Sequence, residues 1–361
     1  MTTTTNLQIK DTIKSYQKVV EQSLEKFFNE KIDKCSKISP LAKEMMESLK
    51  EFSLRGGKRI RPILTIFGYK AIASSNNPSV IHAALAVELM ESFLLIHDDI
   101  LDQDDFRRGY YSMHKVYELK AKKFYPNSDV KHFGTSMAIM AGDILAVLGS
   151  EAITRANFPE ELRIKAIDKF NRVVINTVFG EILDVVSELK PEVSEFDIIR
   201  VNELKTAIYT IEGPLHIGAI LANASQKQLE TLTKYAIPLG QAYQIHDDIL
   251  GMFGDEKKLG KPVGSDLKEG KKTILILKAL QLADNKQKQI IMQSLGNKSL
   301  TQKQIDEVRK IVIQTGSLDY CKTLAQDLTE KAKSHIIASD FRHEGKEFLL
   351  SIADYMVNRE K

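Results

Sequence analysis

The stretch AALAVELMESFLLIHDDIL, Ala83–Leu101, decides the fold of this chain. Ala83, Val87, Met90, Leu94 and His97 recur at steps of four and three, the spacing of one buried stripe on an α-helix. The run is mostly apolar, interrupted by Glu88 and Glu91, and ends SFLLIH before turning acidic at Asp98 and Asp99. Its last six residues, IHDDIL at Ile96–Leu101, return unchanged at Ile245–Leu250. The flanks of the two copies do not align, so the recurrence marks shared chemistry rather than a duplicated domain.

Outward from this stretch the pattern stays helical. Nine prolines, from Pro40 to Pro262, mark candidate boundaries, because proline favours helix starts and loops. Pro238, ahead of the second IHDDIL, predicts a kink or break there. EVRKIVIQTG and EFLLSIADYMVNREK, beyond the last proline, are amphipathic at helical period. Two-residue alternation with Asn-Gly or Asp-Gly turns is missing, which argues against sheets. No linker, repeat or low-complexity tract divides the chain. The expectation is one all-α domain over residues 1–361 with many helices, and residues 1–6 as a frayed tail.

The bulk properties narrow the class. The chain has 361 residues, 43% of them hydrophobic, enough for a large core. A net charge of +3 with no long basic or acidic arm argues against nucleic acid. Two cysteines, Cys35 and Cys321, cannot build a disulfide scaffold, which suits the reducing cytoplasm. The start MTTTTNLQIK lacks an apolar signal core, and the most apolar window, Met137–Gly149, is too short to span a bilayer and contains Asp143.

The paired aspartates carry the chemistry. Asp98 and Asp102 are four apart and share a helix face, where two like charges cost an isolated helix about 0.2–0.5 kcal/mol. Burial behind the apolar run adds to that cost, so a cation should neutralise them. Carboxylate-only donors suit Mg²⁺ or Mn²⁺, and Mg²⁺ takes one or two carboxylates with water and phosphate in its other positions. Asp247 and Asp248 supply a second set. A solvated acidic helix end would explain one such pair, but two identical copies weaken that reading. Neither tract has the spacing of a calcium loop.

Cations alternate with these acids. RGGKRIRP places Arg55, Lys58, Arg59 and Arg61 in a glycine-broken turn, where backbone N–H groups and guanidinium forks can meet phosphate. Arg107 and Arg108 follow Asp102; Lys205 and Thr206 lie in ELKTAIYT; Lys261 and Lys271 flank PVGSDLKEG. Metal carboxylates interleaved with phosphate-type cations are what two polyphosphate groups require. No Walker or dinucleotide glycine loop is present, so a nucleotide is not implied.

These motifs together resemble the trans-isoprenyl diphosphate synthase (polyprenyl synthetase) family. The resemblance rests on GGKRIRP (56–62), DDILDQDDFRRG (98–109), GTSMAIMAGDIL (134–145), LKT (204–206), YQIHDD (243–248) and GDEKKLGKPVGSDLKEGKKT (254–273), in the family's order. It implies the isoprenoid synthase fold, a many-helix bundle around a deep central cavity, working as a homodimer with three Mg²⁺ ions. It implies condensation of isopentenyl diphosphate, head to tail, with a dimethylallyl, geranyl or farnesyl diphosphate. Carried over by position, Asp98 and Asp102 hold metal with Asp99 in support, and Asp247 holds it at the second tract beside Asp248. Arg107, Lys205, Lys261 and Lys271 grip the allylic diphosphate, with Thr206 and Gln244 lining its site. Lys58, Arg61 and Arg108 grip isopentenyl diphosphate.

Two positions depart from the family. Gly251 stands where many members have a third aspartate; some members share this glycine, so a working site is expected, with Asp255 or Asp266 as candidates to complete the set. Glu91 stands where members often have His or Gln, and a carboxylate there repels a diphosphate unless it is protonated or paired with Lys58 or Arg61. Phe93 lies five residues before Asp98, about 7.5 Å along a helix axis. In the family that position often sets chain length, so Phe93 is read as the tunnel floor with Met90 as the next layer, and the product as the twenty-carbon geranylgeranyl diphosphate. A farnesyl diphosphate synthase and a non-catalytic regulatory subunit of the same fold are the alternatives. A terpene cyclase needs no second diphosphate pocket, so GGKRIRP argues against it.

Overall fold

Helix starts are set by local caps. The Ala42 N–H donates to Ser39 Oγ at 3.0 Å and Pro40 follows at the first helical position, so α2 (Pro40–Leu54) begins there. Reciprocal capping boxes start other helices, with Ser194 and Asp197 as one pair and Ser225 and Gln228 as another. The computed structural model describes residues 2–190, 193–254 and 263–358, without the side chains of 2–7 and 188. Its Cα packing gives two compact units: Lys10–Phe170 with Pro214–Asn223, and Met1–Ile9 with Asn171–Gly213 and Ala224–Lys361.

The first unit is built on α4 (Ser79–Leu101), the helix of the opening stretch. From Ala83 to Met90 every residue of α4 is buried, so the helix is apolar nearly all round rather than along one stripe. It packs against α3 (Ile60–Lys70) and, over a longer contact, α6 (Val130–Arg155), with α5 (Met113–Phe124) on α6. Both α4 and α6 are long and apolar enough to cross a membrane by composition, yet two thirds of the most apolar window of α4 is buried inside the protein. Most of α1 (Thr2–Cys35) also belongs to this unit, and α1 starts inside the stretch read as a tail.

One feature escapes the all-helical reading. Between α4 and α5, strands β1 (Phe106–Arg107) and β2 (Tyr110–Tyr111) form a two-residue antiparallel hairpin. Its turn residues Arg108 and Gly109 have φ of 54° and 82°, positive at both centres as a type I′ turn requires.

The second unit takes in the rest of α7 (Glu160–Leu189), then α8 (Glu195–Asn202) and a π-helix, π1 (Glu203–Glu212). After α9 (Gly213–Leu221) come α10 (Gln226–Phe253), α11 (Ser265–Glu269), α12 (Ile274–Leu282) and α13 (Asn285–Ser294). The unit ends with α14 (Gln302–Gln314), α15 (Ser317–Ile337) and α16 (His343–Val357). Its core joins Ile245, Ile249, Leu275, Ile291, Val308, Val312 and Cys321. Burying such side chains is worth about 1.5–3 kcal/mol each. Helix α10 carries the second IHDDIL and runs unbroken for 28 residues with Pro238 inside it. The expected break is therefore not there. Pro238 is buried in the packed middle of the helix, and that packing outweighs one missing N–H.

Candidate active site

At the end of α4 the two adjacent aspartates have different surroundings. Asp99 is fully buried, and burial pushes its carboxyl up to about 6 against the pull of Arg107. Arg107 Nε pairs with Asp99 Oδ1, and its NH2 lies 3.2 Å from Asp98 Oδ2. Burial disfavours charge on Arg107, yet Asp99 and Asp98 hold its guanidinium above the ordinary value. The chain turns back right after α4, where the Asp104 N–H donates to Asp99 O at 2.9 Å, and this turn precedes β1, which carries Arg107. Asp102 caps the helix, donating its N–H to Asp98 O at 2.9 Å, and its side chain is exposed.

The glycine-broken turn feeds the same end of this unit. Arg59, in the left-handed region at φ 53°, is the N-cap of α3, and its guanidinium is buried against Glu88 of α4. Burial and the charge of Glu91 raise Glu88 to about 7, opposed by Arg59. Arg61 and Arg108 meet on Glu91, at 2.9 and 3.3 Å. Burial would raise Glu91, but the two arginines hold it below the usual carboxylate range, so the carboxylate in question is paired and ionised. Lys58 lies in the same turn. Phe93 is 8% exposed and stands edge-on to the His97 ring at 4.9 Å, while Met90 is wholly buried.

In the second unit a cavity of about 220 Å³ collects Lys205, Thr206, Gln244, Asp247, Asp248 and Lys271 from the predicted set. Lys205 and Thr206 ride on π1, and π-helical turns recur at functional sites. The helix is pressed tightly from one side, since a Cβ on Gly240 of α10 would run into the Ala207 backbone. That approach lets Thr206 Oγ1 donate to Gln244 Oε1 at 2.7 Å, and Gln244 Nε2 donate to Asp248 Oδ1 at 2.9 Å. Burial raises the Asp248 carboxyl to about 8, with Asp266 adding to the shift and the Gln244 bond opposing it. Lys261 and Asp255 fall outside the described residues.

Two acids that sequence reasoning passed over hold Lys205. Glu181 and Asp184 of α7 each approach its Nζ at 2.8 Å. Burial works against the charge on Lys205, but these carboxylates raise its pKa above the ordinary value. The signal was the spacing of three in GEILD within an apolar helix. Gly251 is explained by its neighbour, because a Cβ there would sit 2.6 Å from Asp266 Oδ2. The Asp266 carboxylate fills the space that a side chain at 251 would take.

The donors fit Mg²⁺. Among the described residues no three His, Cys, Asp or Glu side chains form a ready-made metal cluster. Hard oxygen donors in ones and twos, flanked by lysines and arginines, are instead what an ion shared with a diphosphate needs. Asp98 and Asp102 at the end of α4 could hold such an ion in the first unit, and Asp247 in the α10 cavity could hold one in the second.

The sequence pattern for "Polyprenyl synthetase" matches residues 42–312. The chain belongs to the polyprenyl synthetase family. The geranylgeranyl diphosphate synthase of Sulfolobus acidocaldarius is 34% identical over 344 residues, covering 93% of this chain and 98% of that protein. A short chain isoprenyl diphosphate synthase of Methanocaldococcus jannaschii is also 34% identical, over 95% and 96% of the two chains. Among solved structures, the geranylgeranyl pyrophosphate synthase of Corynebacterium glutamicum, complexed with isoprenyl diphosphate and magnesium, superposes with a TM-score of 0.89 at 31% identity, covering 95% of this chain and 98% of that one. This polyprenyl synthetase thus has the all-α isoprenoid synthase fold expected of it, and it is a trans-prenyl diphosphate synthase.

Proposed function

We propose that the protein extends an allylic diphosphate with isopentenyl diphosphate and stops at geranylgeranyl diphosphate, in the cytoplasm and with Mg²⁺ bound. The observation that carries the reading is the pairing, on separate elements, of carboxylates with the very cations a diphosphate would claim. Lys205, Thr206, Gln244 and Lys271, with Lys261, take the allylic diphosphate; Arg107 serves the same substrate. Lys58, Arg61 and Arg108 take isopentenyl diphosphate. Bound Mg²⁺ supplies Lewis-acid neutralisation of the departing diphosphate. Lys205 and Arg107 add fixed positive charge where negative charge develops as the allylic C–O bond breaks. The isopentenyl double bond attacks the resulting cation, and a proton leaves to an oxygen of the released diphosphate. Both cysteines are free thiols, in keeping with a reducing compartment. A second copy of the chain suits the exposed apolar Ile139, Met140 and Val147 of α6.

Phe93 sets the length in this account. Phe93→Ala opens the floor, and products sized by chromatography after dephosphorylation should exceed twenty carbons. Unchanged length removes Phe93 from the account. Gly251→Ala tests the second tract. The added methyl displaces the Asp266 carboxylate, and the Mg²⁺ concentration for half-maximal rate should rise about tenfold, within the range for altered metal surroundings. Helix stability does not fall, since alanine is the better helix former. An unchanged Mg²⁺ requirement means that Asp266 plays no part.

A further inference from the structure

Glu91 is the point where two arginines from separate elements meet. Arg61 comes from the first turn of α3 and Arg108 from the turn between β1 and β2. Arg61 NH1 lies 2.9 Å from Glu91 Oε2, and Arg108 NH2 lies 3.3 Å from Oε1. Arg108 NH1 also donates to Gly56 O at 2.6 Å, which ties the hairpin to the glycine-broken turn. The Glu91 side chain is only 15% exposed. A surface ion pair so placed would be worth little, but this one is largely withdrawn from water and bridges two partners. Next to it, Glu88 makes the ion pair with Arg59, whose charge also acts on Glu91, while the close contacts to Glu91 come from the other two arginines.

A carboxylate gripped by two guanidinium groups presents what a phosphate presents, namely oxygens that accept and a negative charge. A diphosphate carries more of both. The donors of Arg61 and Arg108 that face Glu91 cannot be given in full to two anions at once, and two anions side by side repel. We infer that Glu91 is a resident anion that holds Arg61 and Arg108 together in the isopentenyl diphosphate seat and must yield them when that diphosphate arrives, so that it sets the enzyme's affinity for this substrate. The inference rests on the proposal that these arginines form that seat. Glu91 is then a specificity device built from a repulsive element.

The test is steady-state kinetics of the full-length enzyme with each substrate varied in turn. Glu91→Gln keeps the shape and one acceptor and removes the charge. KM for isopentenyl diphosphate should fall about tenfold, equivalent to ~1.4 kcal/mol, while KM for the allylic diphosphate stays put. Glu91→Asp, which keeps the charge but draws it back by one methylene, should lower KM by less. A rise or no change in KM for isopentenyl diphosphate in these variants overturns the inference and leaves Glu91 as a strut. Arg61→Gln and Arg108→Gln separate the two levels. If both raise that KM while Glu91→Gln leaves it alone, the seat stands and the inference falls. If neither raises it, the seat itself is wrong and the inference falls with it.

Discussion

Asp98→Asn lowers kcat/KM for the allylic diphosphate by roughly 10³-fold, the scale of losing one preorganised electrostatic partner of a transition state. The two neighbouring aspartates do different work. Asp99 is buried and already engaged by Arg107, whereas the Asp98 side chain is 29% exposed and can reach a ligand beyond the protein. Asparagine keeps the size and the contact to Arg107 but removes the charge that holds a divalent ion. The helix should survive, because Asp98 lies in the last turn of α4 and relieving like charge there costs nothing. The check is kinetics across a Mg²⁺ titration with circular dichroism alongside. A loss of less than about fivefold would take Asp98 out of the metal set.

Gly240→Ala should cost about 1–3 kcal/mol of stability, the usual cost of overpacking, and most of the activity with it. Its methyl would collide with the Ala207 backbone, which cannot swing aside as a flexible side chain would. Helix α10 and π1 must part, and the Thr206–Gln244–Asp248 chain of hydrogen bonds parts with them. Scanning calorimetry and turnover measure the two losses. A variant with wild-type melting and turnover would show that the close approach is not needed.

The helical class was legible because two-residue alternation is missing and apolar residues recur at steps of three and four in Ala83–His97, even though α4 is apolar nearly all round, and because prolines and caps stand at the ends of several helices. Pro40 opens α2 and Pro214 stands in the first turn of α9. Pro238 does not break α10, since a buried position in a long helix tolerates one lost N–H where an exposed one would not. The hairpin at Phe106–Tyr111 was illegible for a different reason. Strands of two residues are too short for alternation, and the positive φ at Arg108 belongs to a residue type that rarely adopts it.

The site was legible as an inventory of residue types and opaque as a set of pairings. Asp247, Asp248, Lys205, Thr206, Gln244 and Lys271 do line one cavity. Periodicity places such residues on faces, but it cannot say that Glu181 and Asp184 hold Lys205, or that Glu88 makes the ion pair with Arg59 while Arg61 and Arg108 make the close contacts to Glu91. Those choices follow from packing between elements far apart in the chain. Gly251 makes the same point, because its lack of a side chain has meaning only once Asp266 is seen to occupy the space.

The most direct measurement is product analysis of the purified wild-type protein. It would be incubated with Mg²⁺, labelled isopentenyl diphosphate and, in separate reactions, dimethylallyl, geranyl and farnesyl diphosphate, with a chelator control. The products would be dephosphorylated and sized by chromatography. The account predicts elongation of the primers to twenty carbons and no further, and none in the chelator. No elongation from any primer, with primer and Mg²⁺ both shown to bind, would contradict it.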